Sequence, residues 1–349
     1  MARAPRSRVA VRRRMILRRR ALAALAMLVV LALVTWAGVL GSHGRSGADG
    51  AARASPTGSP VPAVRFAGRR LPVALPFALQ DEACVYLGSG RVALIGGLDA
   101  ADTSSAAVSV LDAQGARSGG LLHEPQHDAQ AAMLDGSVFV FGGGQFSSYE
   151  HILAYDPAAE RVNEAGNLPT ATSDAAVSVI AGTAYVVGGY DGQRALDTVV
   201  AWRPGGRPWL AGRLPYGLRY PAVAAIGGRL LIGGGSRAEA ATRAILSFDP
   251  ASGVVSRVGE LPFAVTHAAA VALGRYVYVL GGRGSEPGSQ HAAITAIDAT
   301  NGHALPDGAL PLRLSDTCAV ALGDRIWLIG GLSTTGTLAS VYELTPAAP

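Results

Sequence analysis

Six glycine doublets recur along this chain about every 47 residues, each closing an aliphatic stretch, and this spacing limits the possible folds more than any other feature. The stretches are VALIGG ending at Gly97, FVFGGG at Gly144, AYVVGG at Gly189, RLLIGGG at Gly235, YVYVLGG at Gly282 and IWLIGG at Gly331. Taking Gly96, Gly142, Gly188, Gly233, Gly281 and Gly330 as the first glycines gives steps of 46, 46, 45, 48 and 49 residues. Glycine has no Cβ, so it can adopt unusual φ values and pass close to a neighbouring backbone.

The units share one internal order. An Ala/Val-rich strand comes first, as in HAAAVALG (267–274). A short polar turn leads to the strand that ends in Gly-Gly, and a variable loop follows. A third strand runs into a turn, as in ILAYDP (152–157), ILSFDP (245–250) and AITAIDATNG (293–302). Asp-Pro and Asn-Gly make turns because Pro presets φ and Gly accepts positive φ. A weaker fourth strand ends in Leu-Pro, as in VNEAGNLP (162–169), WLAGRLP (209–215), VSRVGELP (255–262) and ALPDGALP (304–311). Proline there suits an edge strand or its end. Four short antiparallel strands, repeated six times, predict an all-β, six-bladed β-propeller of four-stranded blades.

With these doublets in place, residues 64–345 resemble the kelch repeat family, whose members build β-propellers. The family's unit also carries a Tyr before a turn and a Trp beyond it. Tyr155, Trp202, Phe248 and Tyr342 fall near the Tyr place, and only Trp209 sits well at the Trp place. The resemblance therefore implies the fold, with aliphatic residues filling much of the space between blades.

The sixth unit starts at LSDTCAVALG (314–323), reaches its third strand at ASVYELTP (339–346), and has no fourth. Residues 64–76, VRFAGRRLPVALP, read as a fourth strand with no unit of its own. Joining the two predicts an N-terminal strand that closes the last blade and removes an exposed edge. Two registers are open: Gly68 to Pro72 matches the Gly-x-Leu-Pro ending with one extra residue, and Leu75-Pro76 matches by distance to the next doublet.

Cys84 and Cys318 lie in the first strands of units one and six, which become neighbours only when the ring closes. Both stand 12 residues before the first glycine of their doublet, whereas counting from Leu87 and Leu322 sets them one residue apart, on opposite faces. Two separate small buried hydrophobes and a disulfide are both open.

Aligning the first strands on Leu87, Leu134, Ile180, Ile226, Leu273 and Leu322 exposes a polar column six residues earlier: Asp81, Asp128, Asp174, Tyr220, His267 and Asp316. Kelch units often place His here, as unit five does. Four Asp in six suggest an acidic ring around one mouth of a central channel, with Arg219 as its counter-charge. Like charges in such a ring repel unless paired, hydrated or bound to a cation. The column is expected either to bind a cation, a basic group or a sugar, or to cap turns and face channel water. Loops at the same end add Phe146, Tyr149, Tyr190, Arg194, Arg237, Arg283 and His291.

No zinc spacing, phosphate loop or G-x-S-x-G elbow is found, so no catalytic residue, metal or cofactor is assigned. Some kelch-like propellers are copper radical oxidases or sialic-acid mutarotases. The oxidase pattern finds only Cys84 near Tyr86 here, without a pair of His at ligand spacing. A mutarotase would use a carboxylate and a base across the channel mouth, for which Asp128, Arg219 and His267 are available.

Charge and hydropathy place the domain. The net charge is +5, but nine Arg lie within residues 1–20, so the remainder carries −4. The basic balance belongs to a tail and does not argue for nucleic-acid binding. Residues 21–41, ALAALAMLVVLALVTWAGVLG, are uncharged and long enough to cross a bilayer as a helix. The Arg cluster sets the N-terminal side in the cytoplasm. An uncleaved anchor is expected, with cleavage after Ala37 and secretion as the alternative; Arg13 and Arg14 also have the look of a twin-arginine signal. Residues 42–63 read as a flexible Gly/Ser/Ala/Pro tether ahead of the domain at 64–349. The expectation is an extracytoplasmic, membrane-tethered binding or protein-interaction module, its partner an unidentified protein or glycan of the cell envelope. A sugar-acting enzyme on the same face is the alternative.

Overall fold

The computed structural model describes residues 63–347, where every regular element is a β-strand. Among these residues no helix is long and apolar enough to cross a membrane. The basic segment, the apolar run and nearly all of the tether fall in residues 1–62, outside the described part.

Six sheets share one antiparallel four-strand order. In the second sheet the order is Gln130–Leu134, Ser137–Phe141, His151–Asp156, Arg161–Asn167. The first strands of the others are Ala83–Gly88, Ala176–Ile180, Ala222–Ile226, Ala269–Leu273 and Cys318–Leu322. These first strands are neighbours in a closed cycle around a channel. Ala and Val dominate them because six strands converging on one axis leave little side-chain volume. The second strands are buried along their whole length in Thr183–Val187 and Tyr276–Leu280, and from their second residue onward in the other four. They are covered on both faces, so their apolar runs are continuous rather than alternating.

The core is divided among the gaps between sheets. Six apolar clusters each combine residues of two adjacent sheets, including the sixth with the first, where Leu75, Val92, Cys318, Trp327 and Ile329 meet. Three aromatics at the Tyr place fill such gaps. Trp202 lies edge-on to Phe139 and Phe141, Phe248 to Tyr185, and Tyr155 donates its hydroxyl to the Gly119 carbonyl at 2.9 Å. Trp209, the one residue at the Trp place, is 43% exposed and closes no gap.

The doublets join sheet to sheet. In all six, the second glycine's N–H donates to a backbone carbonyl of the segment that leads into the following sheet: Gly97 to Gln126, Gly143 to Thr172, Gly189 to Leu218, Gly235 to Val265, Gly282 to Leu314 and Gly331 to Leu79, at 2.8–2.9 Å. This pattern corrects one sequence assignment. The fourth doublet is Gly234-Gly235, not Gly233-Gly234, because Gly233 pairs with Ile245 as the last residue of its strand. A Cβ on Gly234, at φ +64°, would lie 2.4 Å from the Val265 carbonyl oxygen, whereas one on Gly233 would meet only side chains at 3.5 Å. Gly234→Ala is therefore expected to cost about 3 kcal/mol in urea unfolding, and Gly233→Ala less than about 1 kcal/mol. Equal costs would reject this assignment.

Phe66–Ala74 is the outer strand of the sixth sheet and pairs antiparallel with Ser340–Pro346, Phe66 opposite Pro346 and Ala74 opposite Ser340. The Leu75-Pro76 register holds. Leu75 N–H donates to the Ala339 carbonyl, just as Leu168, Leu214 and Leu310 donate to Glu150, Asp197 and Ala292 in their sheets. Phe66 packs edge-on to Tyr278 of the fifth sheet. Buried Glu343 receives Arg69, Arg325 and the Trp327 indole N–H.

Cys84 and Cys318 form a disulfide, with Cα atoms 6.0 Å apart. Cys84 pairs with Leu94 and Cys318 with Ile329, so the register that sets them one residue apart is the operative one. Neighbouring sheets confront each other with opposite faces, and the offset turns each thiol toward the other.

Candidate functional site

The polar column encircles one end of the channel. All six members have positive φ, from 49° at Tyr220 to 58° at Asp174. Their backbones form a belt: Asp128 N–H donates to the Asp81 carbonyl, Asp174 to Asp128, Tyr220 to Asp174, Asp316 to His267 and Asp81 to Asp316, at 2.8–3.2 Å. Asp tolerates the left-handed region better than most residues, which gives the four Asp a conformational reason to stand there. Position in the column alone therefore does not make a side chain a ligand.

The side chains line a cavity of about 390 Å3, with Asp81, Asp128, Asp174, Tyr220, His267 and Asp316 at its rim. Arg219 Nε donates to Asp174 Oδ2 at 2.5 Å, its guanidinium lying 4.3 Å from the Tyr190 ring centre. The Tyr220 hydroxyl reaches past the third sheet to donate to Asp128 Oδ2 at 3.3 Å. On its other side the Tyr220 ring stacks on His267, with centroids 3.6 Å apart. Tyr220 thus spans part of the mouth.

A guanidinium can only donate, so Arg283, 3.2 Å from His267 Nε2, marks that nitrogen as the bare acceptor. The proton then sits on Nδ1, which donates to Thr266 Oγ1 at 3.0 Å. Burial, followed by the Arg283 and Arg219 charges, lowers the His267 pKa to about 2, so the imidazole is neutral. Its 3.8 Å approach to Asp316 is accordingly not an ion pair.

The carboxyls behave oppositely. Burial, then the charges of Asp316, Asp128 and Glu82, hold Asp81 well above the usual carboxylate range. Burial, then Asp174 and Asp316, does the same to Asp128. Burial also raises Asp316, although Ser315 donates to its Oδ2 at 2.5 Å. Glu82, directly after Asp81, lines the same cavity, is 5% exposed, and has no side-chain donor at either carboxyl oxygen, its own backbone N–H and that of Cys318 being the groups that favour its charged form. Burial pushes its carboxyl up to about 8. A raised acid stabilises the fold in its protonated form, so this contribution is complete below about pH 4.5 and is lost as pH climbs to about 8.

Glu82 is the residue the column alignment missed. The equivalent place holds Ala129, Ala175, Pro221, Ala268 and Thr317 in the other sheets. A lone acid in a row of small residues was the available signal. Of the loop residues expected at this end, Tyr190 and Arg283 bear on the mouth through Arg219 and His267. Arg194 is paired with Asp191, Arg237 lies over Tyr216, and His291 packs on Phe263. Tyr149 tilts against His151, and Phe146 is 96% exposed.

The kelch motif family matches residues 171–207, which span the polar residues at Asp174 and the third doublet. A solved structure titled "Structure of YjhT" superposes with a TM-score of 0.68, at 18% identity, covering 78% of this chain and 95% of that one. Among curated proteins none matches.

Proposed function

Since this chain is a kelch-repeat β-propeller, we propose that it has six blades and acts as a binding or protein-interaction module whose ligand enters at the polar column. The observation carrying this reading is the cavity itself: it is concave, rimmed by convergent polar side chains, and holds acids whose pKa values burial has displaced. The ligand contacts proposed are Asp81, Asp128, Asp174, Arg219, Tyr220, His267 and Asp316. The proposed setting is the outer face of the cell membrane, reached through residues 21–41, where carbohydrate and other envelope ligands are available.

Binding of the purified chain to a panel of glycans and to peptidoglycan tests the reading. Retention on at least one, lost when Arg219 is replaced by Ala, is the expected result. No retention on any would remove it. The second reading, a sugar-acting enzyme, is favoured by the juxtaposition of Asp128 and His267 on either side of Tyr220. Anomer exchange followed by NMR would separate it from simple binding.

A further inference from the structure

We infer that the channel mouth takes its ligand through a protonated amine, held by the carboxyls of Asp81, Asp128 and Asp316, with that of Glu82 adjoining Asp81. This rests on the reading of the mouth as a ligand site and narrows the ligand's chemistry.

Five carboxyl groups line one cavity, those of Asp81, Glu82, Asp128, Asp174 and Asp316. Two guanidinium groups stand near them, and both are engaged. Arg219 binds Asp174 and Glu239, and Arg283 serves His267 and the carbonyls of Gly284 and Ser285. His267 is neutral, and burial lowers the pKa of His127, 3.7 Å from Asp128. Hydroxyl donors reach Asp128 from Tyr220 and Asp316 from Ser315. Glu82 receives none: only its own backbone N–H and that of Cys318 bear on its buried carboxyl. A buried carboxyl without a side-chain donor is costly, and it is the feature a donor-rich cation would relieve.

An ammonium group supplies one positive charge and three N–H donors. A neutral sugar brings no charge. A metal ion needs several ligating side chains converging at short range, and no group of three or more His, Cys, Asp or Glu does so among the described residues. The inner strands have a ladder partner on one side only, so their free edges add backbone carbonyls as acceptors.

Without such a cation, burial and the neighbouring carboxyls favour the protonated forms of Asp81 and Asp128. When the ammonium enters, a carboxylic acid becomes a carboxylate paired with it, and the proton passes to the buffer. Binding must therefore release protons and tighten as pH rises.

Calorimetric titration of the full chain with glucosamine, glucose and N-acetylglucosamine tests this. Between about pH 5 and about pH 6.5 the glucosamine amine stays mostly charged, so any change in affinity reports the protein's acids. Glucosamine is expected to bind about tenfold more tightly at the higher pH. Its heat should differ between phosphate and HEPES buffers, as proton release requires. Asp81→Asn and Glu82→Gln are expected to weaken it by about tenfold. Asn tolerates the left-handed backbone as Asp does, and a thermal melt checks that both variants fold. Glucose or N-acetylglucosamine binding as tightly as glucosamine would overturn the amine and leave the carbohydrate reading intact. Glucosamine binding with no proton release, unchanged affinity in both folded variants, or no glucosamine binding at all would also overturn it. The glycan panel decides the broader reading separately.

Discussion

Deleting residues 64–76 is expected to lower stability by about 5 kcal/mol or more, a large part of the stability of an ordinary domain. The strand Phe66–Ala74 carries Phe66 into the gap with the fifth sheet, and Leu75 follows it into the gap with the first. Two such side chains alone contribute about 3–6 kcal/mol by apolar burial. The deletion also removes the ladder to Ser340–Pro346, strips Arg69 from Glu343, and leaves an unpaired edge. Glu343 shows the electrostatic side. Burial alone would raise its carboxyl, but the hydrogen bonds from Arg69 and Trp327 and the Arg69 and Arg325 charges hold it below the usual range. That contribution is present at neutral pH and is lost as pH falls through the lowered value, so the deletion should matter less in acid. Urea unfolding at neutral pH measures the effect; an unchanged midpoint would show that this strand does not close the sixth sheet in solution.

The disulfide should have a comparable effect by a different route. It closes a loop with a sequence separation of 234 residues. On the chain-entropy account, a loop of that length restricts the unfolded chain by about 5 kcal/mol, less any native strain. Cys84→Ala with Cys318→Ala, or reduction with dithiothreitol, is expected to lower the urea midpoint accordingly. The two closures act on one seam by separate means, so combining the deletion with reduction should abolish the folded state. A reduced protein with the midpoint of the oxidised one would contradict the disulfide's part in stability.

The repeat and its closure were legible in the sequence because each doublet serves a contact that recurs in every unit. The triple glycine at 233–235 was misread by one position, since only the approach of the Val265 carbonyl distinguishes Gly234 from Gly233. The run Gly68–Pro72 resembles a strand ending because exposed strand residues face little constraint, whereas Leu75 is identified by its burial. The two cysteine counts conflicted because the turn after the first strand is one residue longer in unit one than in unit six. The polar column was visible by alignment, but the positive φ of its members was not. That geometry changes what the four Asp mean: part of their reason is conformational. Glu82 entered the site only through the cavity it lines, whereas Tyr190 and Arg283, expected at this end from their loops, are tied to it by their contacts with Arg219 and His267.

The antiparallel closure also determines how the domain yields to force. Phe66 lies opposite Pro346, so the described chain leaves the sixth sheet with its two ends side by side. Pulling them apart loads the ladder bonds one after another, as in opening a zip. From the N-terminal side, residues 64–83 can be drawn out before the load reaches Cys84, and from the C-terminal side, residues 319–347 before it reaches Cys318. The bond between them then carries the tension, and the five sheets that follow are shielded from it.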